Sequence, residues 1–219
     1  GDIFYLHSRL RERAVRLSDA LGGGSITALP IVETRRGNIS AYVPTNLISI
    51  TDGQIYLSPE LFNQGVRPAV DVGLSVSRVG GAAQTPIMRR VSGQLKLALA
   101  QYEEVAHFAR FGTEIDRATR QQISRGERLR EVLKQPAYAP LELWQQVVIL
   151  YAATRGYLDE LETGRIREYE EGLWRYTRRE YRSVMRRIEE ERDLTEELER
   201  DLEDLMTAYS DHFAGEDRR

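Results

Sequence analysis

The spacing of the apolar residues changes near residue 85. Before that point, short apolar runs alternate with glycine-rich turns, and after it apolar residues recur mainly at helical spacing. Strands that alternate with helices are typical of an α/β layer with a mostly parallel sheet, whereas long periodic stretches are typical of packed helices. The sequence therefore predicts an α/β part over residues 1–84 and an all-α part over residues 85–219.

The first part contains signals for both helices and strands. Residues 3–21 carry apolar side chains at helical spacing, and Gly22, Gly23 and Gly24 favour a helix end because glycine accepts the left-handed conformation. Ser58 followed by Pro59 is typical of a helix start. Short apolar, β-branched runs predict the strands, over residues 26–32, 47–50, 54–57 and 69–76.

These elements do not complete a parallel sheet. Such a sheet is nearly always covered by helices on both faces, and four short strands with two helices leave one face and one edge open. We therefore expect the first part to require an upstream segment, a partner, or both.

The second part is predicted to be helical. One long helix is indicated by apolar residues that share a face: Met88, Val91, Leu95, Ala98 and Tyr102. Residues 143–151 are apolar nearly all round, which indicates a well-buried helix. Residues 166–188 and 194–209 follow the helical period in charged sequence, and Asp193 and Glu196 are placed to cap the last helix.

Composition excludes several classes of site. The chain has no cysteine, so disulfides, thiolate metal ligands and thiol catalysis are excluded, and its three histidines lack metal-ligand spacing. The net charge of −3 gives no reason to expect nucleic acid, and no apolar run approaches the ~20 residues that span a bilayer. The sequence also lacks Gly-x-x-x-x-Gly-Lys-Ser/Thr, the loop that cradles phosphates with its lysine.

One arginine is distinguished by its position. Arg78 follows the last predicted strand and precedes Gly80 and Gly81, where a rigid backbone is able to hold a guanidinium against an anion. Taken alone, an arginine after a strand is more commonly a surface salt-bridge partner. Position alone therefore leaves both roles open.

Longer motifs resemble one known family. Residues 68–77 read Pro-Ala-Val-Asp-Val-Gly-Leu-Ser-Val-Ser and precede Arg78, which resembles the carboxy-terminal part of the alpha subunit of F-type ATP synthases. Ordered matches also cover residues 1–10, 22–30, 40–55, 108–112 and 132–136; beyond about residue 160 only helical character and length agree. The resemblance implies the end of a P-loop (RecA-like) nucleotide-binding domain over residues 1–84, then a helical bundle domain over residues 85–219.

The resemblance also implies roles for individual residues. Arg78 matches the family's arginine finger, which reaches across the subunit interface to the nucleotide phosphates on the neighbouring beta subunit. Ser49 matches a serine near the same interface. Arg67, Pro68 and Gln135 match positions around the base and ribose of the alpha subunit's own, non-catalytic nucleotide.

Ligands and partners follow from the same resemblance. It implies ATP or ADP with Mg, whose metal and phosphate ligands lie outside these residues, so the chain alone is not expected to be catalytic. The implied partners are alternating beta subunits, a peripheral stalk, and the central-stalk gamma subunit, which is faced by a loop at residues 111–116. The implied location is peripheral, at the cytoplasmic face of the membrane. Ala137 stands where many relatives have a second glutamine, so base contacts at that edge are left unassigned.

Two alternatives stay open. The chain could instead be a stand-alone helical interaction module without an ATPase role. Within the family, residues 38–49 and 56–59 are similar to alternate, sodium-coupled F-type ATPases. Because the coupling ion is chosen in the membrane sector, the sequence leaves proton or sodium open.

Overall fold

A computed structural model of the chain describes residues 2–109 and 116–216. After residue 85 these residues form helices joined by short connections. The helices are α4 (Pro86–Ser92), α5 (Leu95–Ala109), α6 (Arg117–Val132), α7 (Leu143–Arg155), α8 (Ile166–Glu180), α9 (Arg182–Glu191) and α10 (Glu196–Glu216). This confirms the prediction of helices in the second part.

Helix α7 lies at the centre of the hydrophobic core. It contacts α4, α6, α8 and α9, and its residues 147–153 are all buried. Trp144 at its start is only 1% exposed. The prediction of a well-buried helix over residues 143–151 is confirmed, and the helix is apolar on every side because other helices cover every side.

Two glycines allow neighbouring helices to approach closely. A Cβ on Gly126 of α6 would lie 2.2 Å from Cγ of Tyr102 on α5. A Cβ on Gly172 of α8 would lie 2.1 Å from Oη of Tyr209 on α10. The Tyr209 hydroxyl donates a hydrogen bond of 3.1 Å to the carbonyl oxygen of Tyr169. A larger side chain at either glycine therefore requires the facing tyrosine ring or its helix to move.

Two predictions in this part need correction. The single helix predicted through residues 88–102 is interrupted after Ser92. The Ser92 hydroxyl donates to the Met88 carbonyl oxygen at 2.7 Å and so competes with the helical backbone bonds. This bond and the weak helix preference of Gly93 favour a break. The last helix is capped by Thr195, whose Oγ1 accepts from the Leu198 amide at 3.2 Å. Asp193 lies too early for that role, and its carboxylate accepts from the adjacent Leu194 amide.

The first part contains shorter elements. They are α1 (Asp2–Arg11), α2 (Tyr42–Ile50), β1 (Gly53–Gln54), α3 (Pro59–Asn63) and β2 (Val76–Ser77). The predicted start of α3 is confirmed, because Ser58 Oγ accepts from the Leu61 amide at 3.3 Å and Pro59 opens the helix.

The mostly parallel sheet predicted for this part is wrong. Strands β1 and β2 pair antiparallel, with Gly53 opposite Ser77 and Gln54 opposite Val76, and an isolated bridge joins Leu57 to Val70. Residues 26–32 form no strand. An isolated bridge joins Ser25 to Arg16 and the Ile26 amide bonds to the Val15 carbonyl oxygen at 3.0 Å, but among the described residues this pairing does not extend into a ladder. A strand gains stability only through paired backbone groups, and its sequence pattern does not show whether a partner exists.

Two further boundaries differ from the prediction. Residues 47–50 belong to helix α2, because a short apolar run fits a helix as well as a strand, and Pro44 lies in the first turn, where no amide donor is needed. Helix α1 ends at Arg11, well before residue 21. Gly22 does end a helix in the left-handed conformation, but that helix is the short 3-10 helix Asp19–Leu21 and not α1. With φ of 88°, 67° and 94°, Gly22, Gly23 and Gly24 then turn the chain so that the Leu17 amide bonds to the Gly24 carbonyl oxygen at 2.9 Å.

Burial differs sharply between the two parts. Of the residues described before position 85, only Pro44 and Ala69 are buried. Many large apolar side chains there are exposed, and Ile31 reaches 98%. Exposed apolar area on this scale is unusual for a surface that stays in water.

Candidate functional site

Arg78 lies directly after β2 and rests against the end of helix α2. Its Nη1 donates to the Ser49 carbonyl oxygen at 3.3 Å, and its Nη2 donates to that of Ile48 at 3.2 Å. These carbonyls lie in the last turn of α2, where unpaired acceptors and the negative end of the helix dipole favour a cation. The guanidinium is therefore fixed on one side and exposed on the other.

The local backbone positions this arginine. Gly53 has φ of 149°, and a Cβ there would lie 2.1 Å from the Val76 carbonyl oxygen, so the pairing of β1 with β2 requires glycine. The Arg78 amide donates to the Asp52 carbonyl oxygen at 2.8 Å. The Asp52 carboxylate accepts from Arg11 Nη2 at 2.9 Å, which ties this turn to α1.

Ser49 lies next to Arg78, as the resemblance implies. The contact runs through its backbone carbonyl, while its exposed hydroxyl donates to the Asn46 carbonyl oxygen at 2.7 Å. The structure therefore brings Arg78 and Ser49 together at one exposed edge of the first part.

A separate cavity of about 740 Å³ is lined by Arg67, Pro68 and Gln135 together with Ala137. The backbone amide of Gln135 donates to the Arg67 carbonyl oxygen at 2.8 Å and so joins the wall formed by Arg67 and Pro68 to the wall formed by Gln135 and Ala137. The Arg67 guanidinium stacks on the Phe62 ring, with its carbon 4.2 Å from the ring centroid. The three residues that the resemblance groups together thus share one cavity, and Arg78 is not among the residues that line it.

Sequence reasoning missed four charged residues of this cavity: Glu131, Lys134, Arg167 and Glu170. Lys134 Nζ pairs with Glu131 Oε2 at 2.5 Å, and Arg167 Nη1 donates to Glu170 Oε2 at 3.1 Å. Burial raises the pKa of Glu170 to about 7, and Arg167 acts in the opposite direction. Glu170 follows the apolar Tyr169 on α8 at helical spacing from Ile166 and Leu173, and this was the available signal that it faces the interior.

The remaining questions concern a metal site, a membrane-spanning helix and the loop expected to face the central stalk. The residues described here contain no group of three or more His, Asp or Glu side chains able to hold a metal ion. None of the described helices has both the length and the apolar character needed to cross a membrane. Residues 110–115, most of the loop expected to face the central stalk, lie outside the described residues. Asp116 caps α6 by accepting from the Thr119 amide at 2.6 Å, and this bond lowers its pKa.

Comparisons with known protein families divide the chain near the same position, residue 85. Residues 1–77 match the model of the nucleotide-binding domain of the ATP synthase alpha/beta family. Residues 84–209 match the model of the ATP synthase alpha/beta chain, C terminal domain. The chain belongs to the ATP synthase alpha/beta family. The cavity thus combines Arg67 and Pro68 from the first match with Gln135, Ala137 and Glu170 from the second.

Relatives within the family are ATP synthase subunits alpha. That of Dehalococcoides mccartyi is 56% identical over 210 residues, which is 95% of this chain and 42% of the relative. Those of Petrotoga mobilis and Aquifex aeolicus are each 53% identical over 213 residues, 97% of this chain and 42% of each relative. The chain therefore spans less than half the length of these relatives, and its resemblance to ATP synthase alpha subunits is confirmed.

Proposed function

We propose that the chain is part of the regulatory, non-catalytic alpha subunit of a rotary F-type ATP synthase. In this proposal Arg78 is an arginine finger that completes the catalytic site of a neighbouring beta subunit. The supporting observation is the position of its guanidinium, which is anchored on two carbonyls of α2 and exposed on its other side.

The chemistry fits this geometry. Phosphoryl transfer spreads negative charge over the equatorial phosphate oxygens, and a permanently charged, planar donor stabilises that charge best when it is fixed in advance. The two α2 carbonyls restrict the guanidinium while leaving further N–H groups for an anion. Ser49 supports the finger through its carbonyl at the same exposed edge.

A second site would hold the alpha subunit's own nucleotide. Arg67, Pro68 and Gln135 would frame the base and ribose of ATP or ADP. Their cavity of about 740 Å³ has the size of small-molecule sites, which typically occupy roughly 300–1,000 Å³. The Mg ion and the phosphates would be held by residues outside this chain, since the sequence contains no phosphate loop.

The proposal includes the surroundings of the subunit. It would alternate with beta subunits in a ring, face the gamma subunit through residues 111–116 and contact a peripheral stalk. The complex would lie peripherally at the cytoplasmic face of the membrane and couple ATP turnover to ion transport, with proton or sodium as the coupled ion.

The test replaces Arg78 in the assembled complex. Arg78→Ala and Arg78→Lys should each lower steady-state ATP hydrolysis, by roughly 10³-fold for alanine, while nucleotide binding is largely retained. Arg89→Ala is a matched control, because Arg89 Nε also donates to a backbone carbonyl, that of Gly81, at 2.7 Å. Near-normal hydrolysis by Arg78→Ala would exclude the finger. For a stand-alone helical module, none of these substitutions would change any ATPase.

A further inference from the structure

The cavity beside Arg67 contains one buried acid that shares its ion-pair partner with a second acid. Glu170 is only 3% exposed, and its carboxylate bonds to Arg167 Nη1 at 3.1 Å. Arg167 is half-exposed and also pairs with Glu171, through Nε and Oε1 at 2.8 Å. A buried carboxylate is costly unless it is well paired, and here one solvated cation serves two carboxylates.

The other charged residues that line the cavity are already engaged. Glu131 in the last turn of α6 pairs with Lys134 just beyond it, and the Arg67 guanidinium stacks on the Phe62 ring. On α8 itself, Arg167 lowers and Glu171 raises the pKa of Glu170; among the described residues no charge on α6, α7, α9 or α10 shifts it. Glu170 differs from these residues in being almost fully buried, and its carboxylate keeps hydrogen-bonding capacity beyond its bond to Arg167.

We propose that Glu170 contacts the bound nucleotide and helps to select its base. The inference rests on the proposed nucleotide site at Arg67, Pro68 and Gln135. In its neutral form the carboxyl group donates one hydrogen bond and accepts another. That pattern matches an adenine edge, which offers the N1 acceptor beside the N6 amino donor. The ionised form only accepts, and it matches the two adjacent donors of guanine, N1–H and the N2 amino group.

The protonation state of Glu170 therefore sets the preference. Burial raises its pKa to about 7, so the neutral and ionised forms interchange near neutral pH. Below this value the cavity favours adenine nucleotides, and above it the preference for adenine over guanine declines.

The experiment measures equilibrium binding of ATP and GTP to the complete subunit that contains this chain, at pH 6 and pH 8. The unaltered subunit should show an ATP-to-GTP preference that falls roughly tenfold between these pH values, the size of effect expected when one paired hydrogen-bond contact is lost. Glu170→Gln should hold the preference for ATP constant with pH, because an amide donates and accepts at any pH. An unchanged melting temperature at pH 6, where Glu170 is largely neutral, would show that the variant folds normally.

Two further variants separate the possible explanations. Glu171→Gln removes a similar ion pair with Arg167 but does not line the cavity, so the ATP-to-GTP preference should still fall as the pH rises. Because Glu171 raises the pKa of Glu170, the fall should occur at a lower pH than in the unaltered subunit. If Glu171→Gln reproduces the effect of Glu170→Gln, the effect arises through Arg167 and the ligand contact is refuted. If Gln135→Ala weakens ATP binding while the ATP-to-GTP preference of Glu170→Gln still changes with pH as in the unaltered subunit, the nucleotide site is supported and the role of Glu170 is refuted. If Gln135→Ala has no effect, the cavity is not the nucleotide site and both assignments to it fail, independently of the Arg78 turnover test.

Discussion

Helix α7 and the segment around Arg78 are held by different forces. Residues 147–153 of α7 are buried on all sides, so side-chain packing fixes them. Around Arg78 almost nothing is buried, and the segment is fixed by backbone pairing at Gly53 and by bonds to the carbonyls of α2. Under the proposed function this difference is a division of roles: the packed helices supply stability, and the hydrogen-bonded segment would present Arg78 to a neighbouring subunit. The following predictions test that division, from the largest expected effect to the smallest.

Substitution of Trp144 should have the largest effect on the stability of the core. Trp144→Ala removes a fully buried ring from the start of α7 and should lower the free energy of unfolding by about 4 kcal/mol. Chemical denaturation of the complete subunit measures this loss. Tyr138→Ala is the control, since that ring is fully exposed and its loss should change stability by less than about 0.5 kcal/mol. Equal effects at the two positions would contradict the central place of α7.

Substitution of Gly53 should have the largest effect on the stability of the segment around Arg78. Gly53→Ala combines an unfavourable φ with a clash against the Val76 carbonyl oxygen, and it should destabilise the β1–β2 pairing by about 3 kcal/mol. Hydrogen exchange should show faster exchange near Arg78 while protection in α7 is retained. Gly164→Ala serves as the control, because nothing lies within 4 Å of its added Cβ. Loss of protection in α7 as well would mean that the two regions are not separable.

Glu170, on α8 in the cavity that it shares with Arg67 and Pro68, should make stability depend on pH. Its pKa rises from 4.5 to about 7 on folding, so folding favours the neutral form. The resulting stabilisation is complete below pH 4.5 and is lost as the pH rises through about 7. Allowing for solvent in the cavity, we expect a loss of about 2 kcal/mol across this window that Glu170→Gln abolishes. Denaturation curves of the two proteins from pH 4.5 to 8 test this, and parallel curves would contradict it.

Loss of a helix cap should lower the free energy of unfolding equally before and after residue 85. Ser58→Ala and Thr195→Ala each remove one bond to a helix amide, at the starts of α3 and α10, and each should lower stability by about 1 kcal/mol. A cap acts locally, so its effect does not depend on the size of the surrounding core. Denaturation of the single and double variants measures this, with additive losses expected for distant sites. A loss several times larger at Thr195 would show that the core amplifies local defects.

The sequence predicted those elements whose signals are local. The uniform apolar character of residues 143–151 and the Ser58–Pro59 pair both led to correct helices. Residues 26–32 and 47–50 were misassigned because a strand depends on a partner elsewhere, and a short apolar run does not reveal whether that partner exists. The same limit explains why an antiparallel pair was read as a parallel sheet.

The candidate site was predictable to a similar degree. The position of Arg78 after a strand singled it out, but its contact with the α2 carbonyls follows from the fold. The proximity of Arg67 to Gln135 came from the family resemblance, since residues so far apart in sequence give no local signal. Glu170 was missed because its neighbours on α8 are mostly charged. Its spacing from Ile166 and Leu173 indicated the inward face, but the extent of its burial follows from packing against other helices.

The most direct test of the account is a single-turnover measurement of ATP hydrolysis in a complex of the Arg78→Ala subunit with unaltered beta subunits. If Arg78 completes the neighbouring catalytic site, ATP should still bind while the rate of the chemical step falls by roughly 10³-fold. A chemical step at the unaltered rate, with ATP bound normally, would contradict the account.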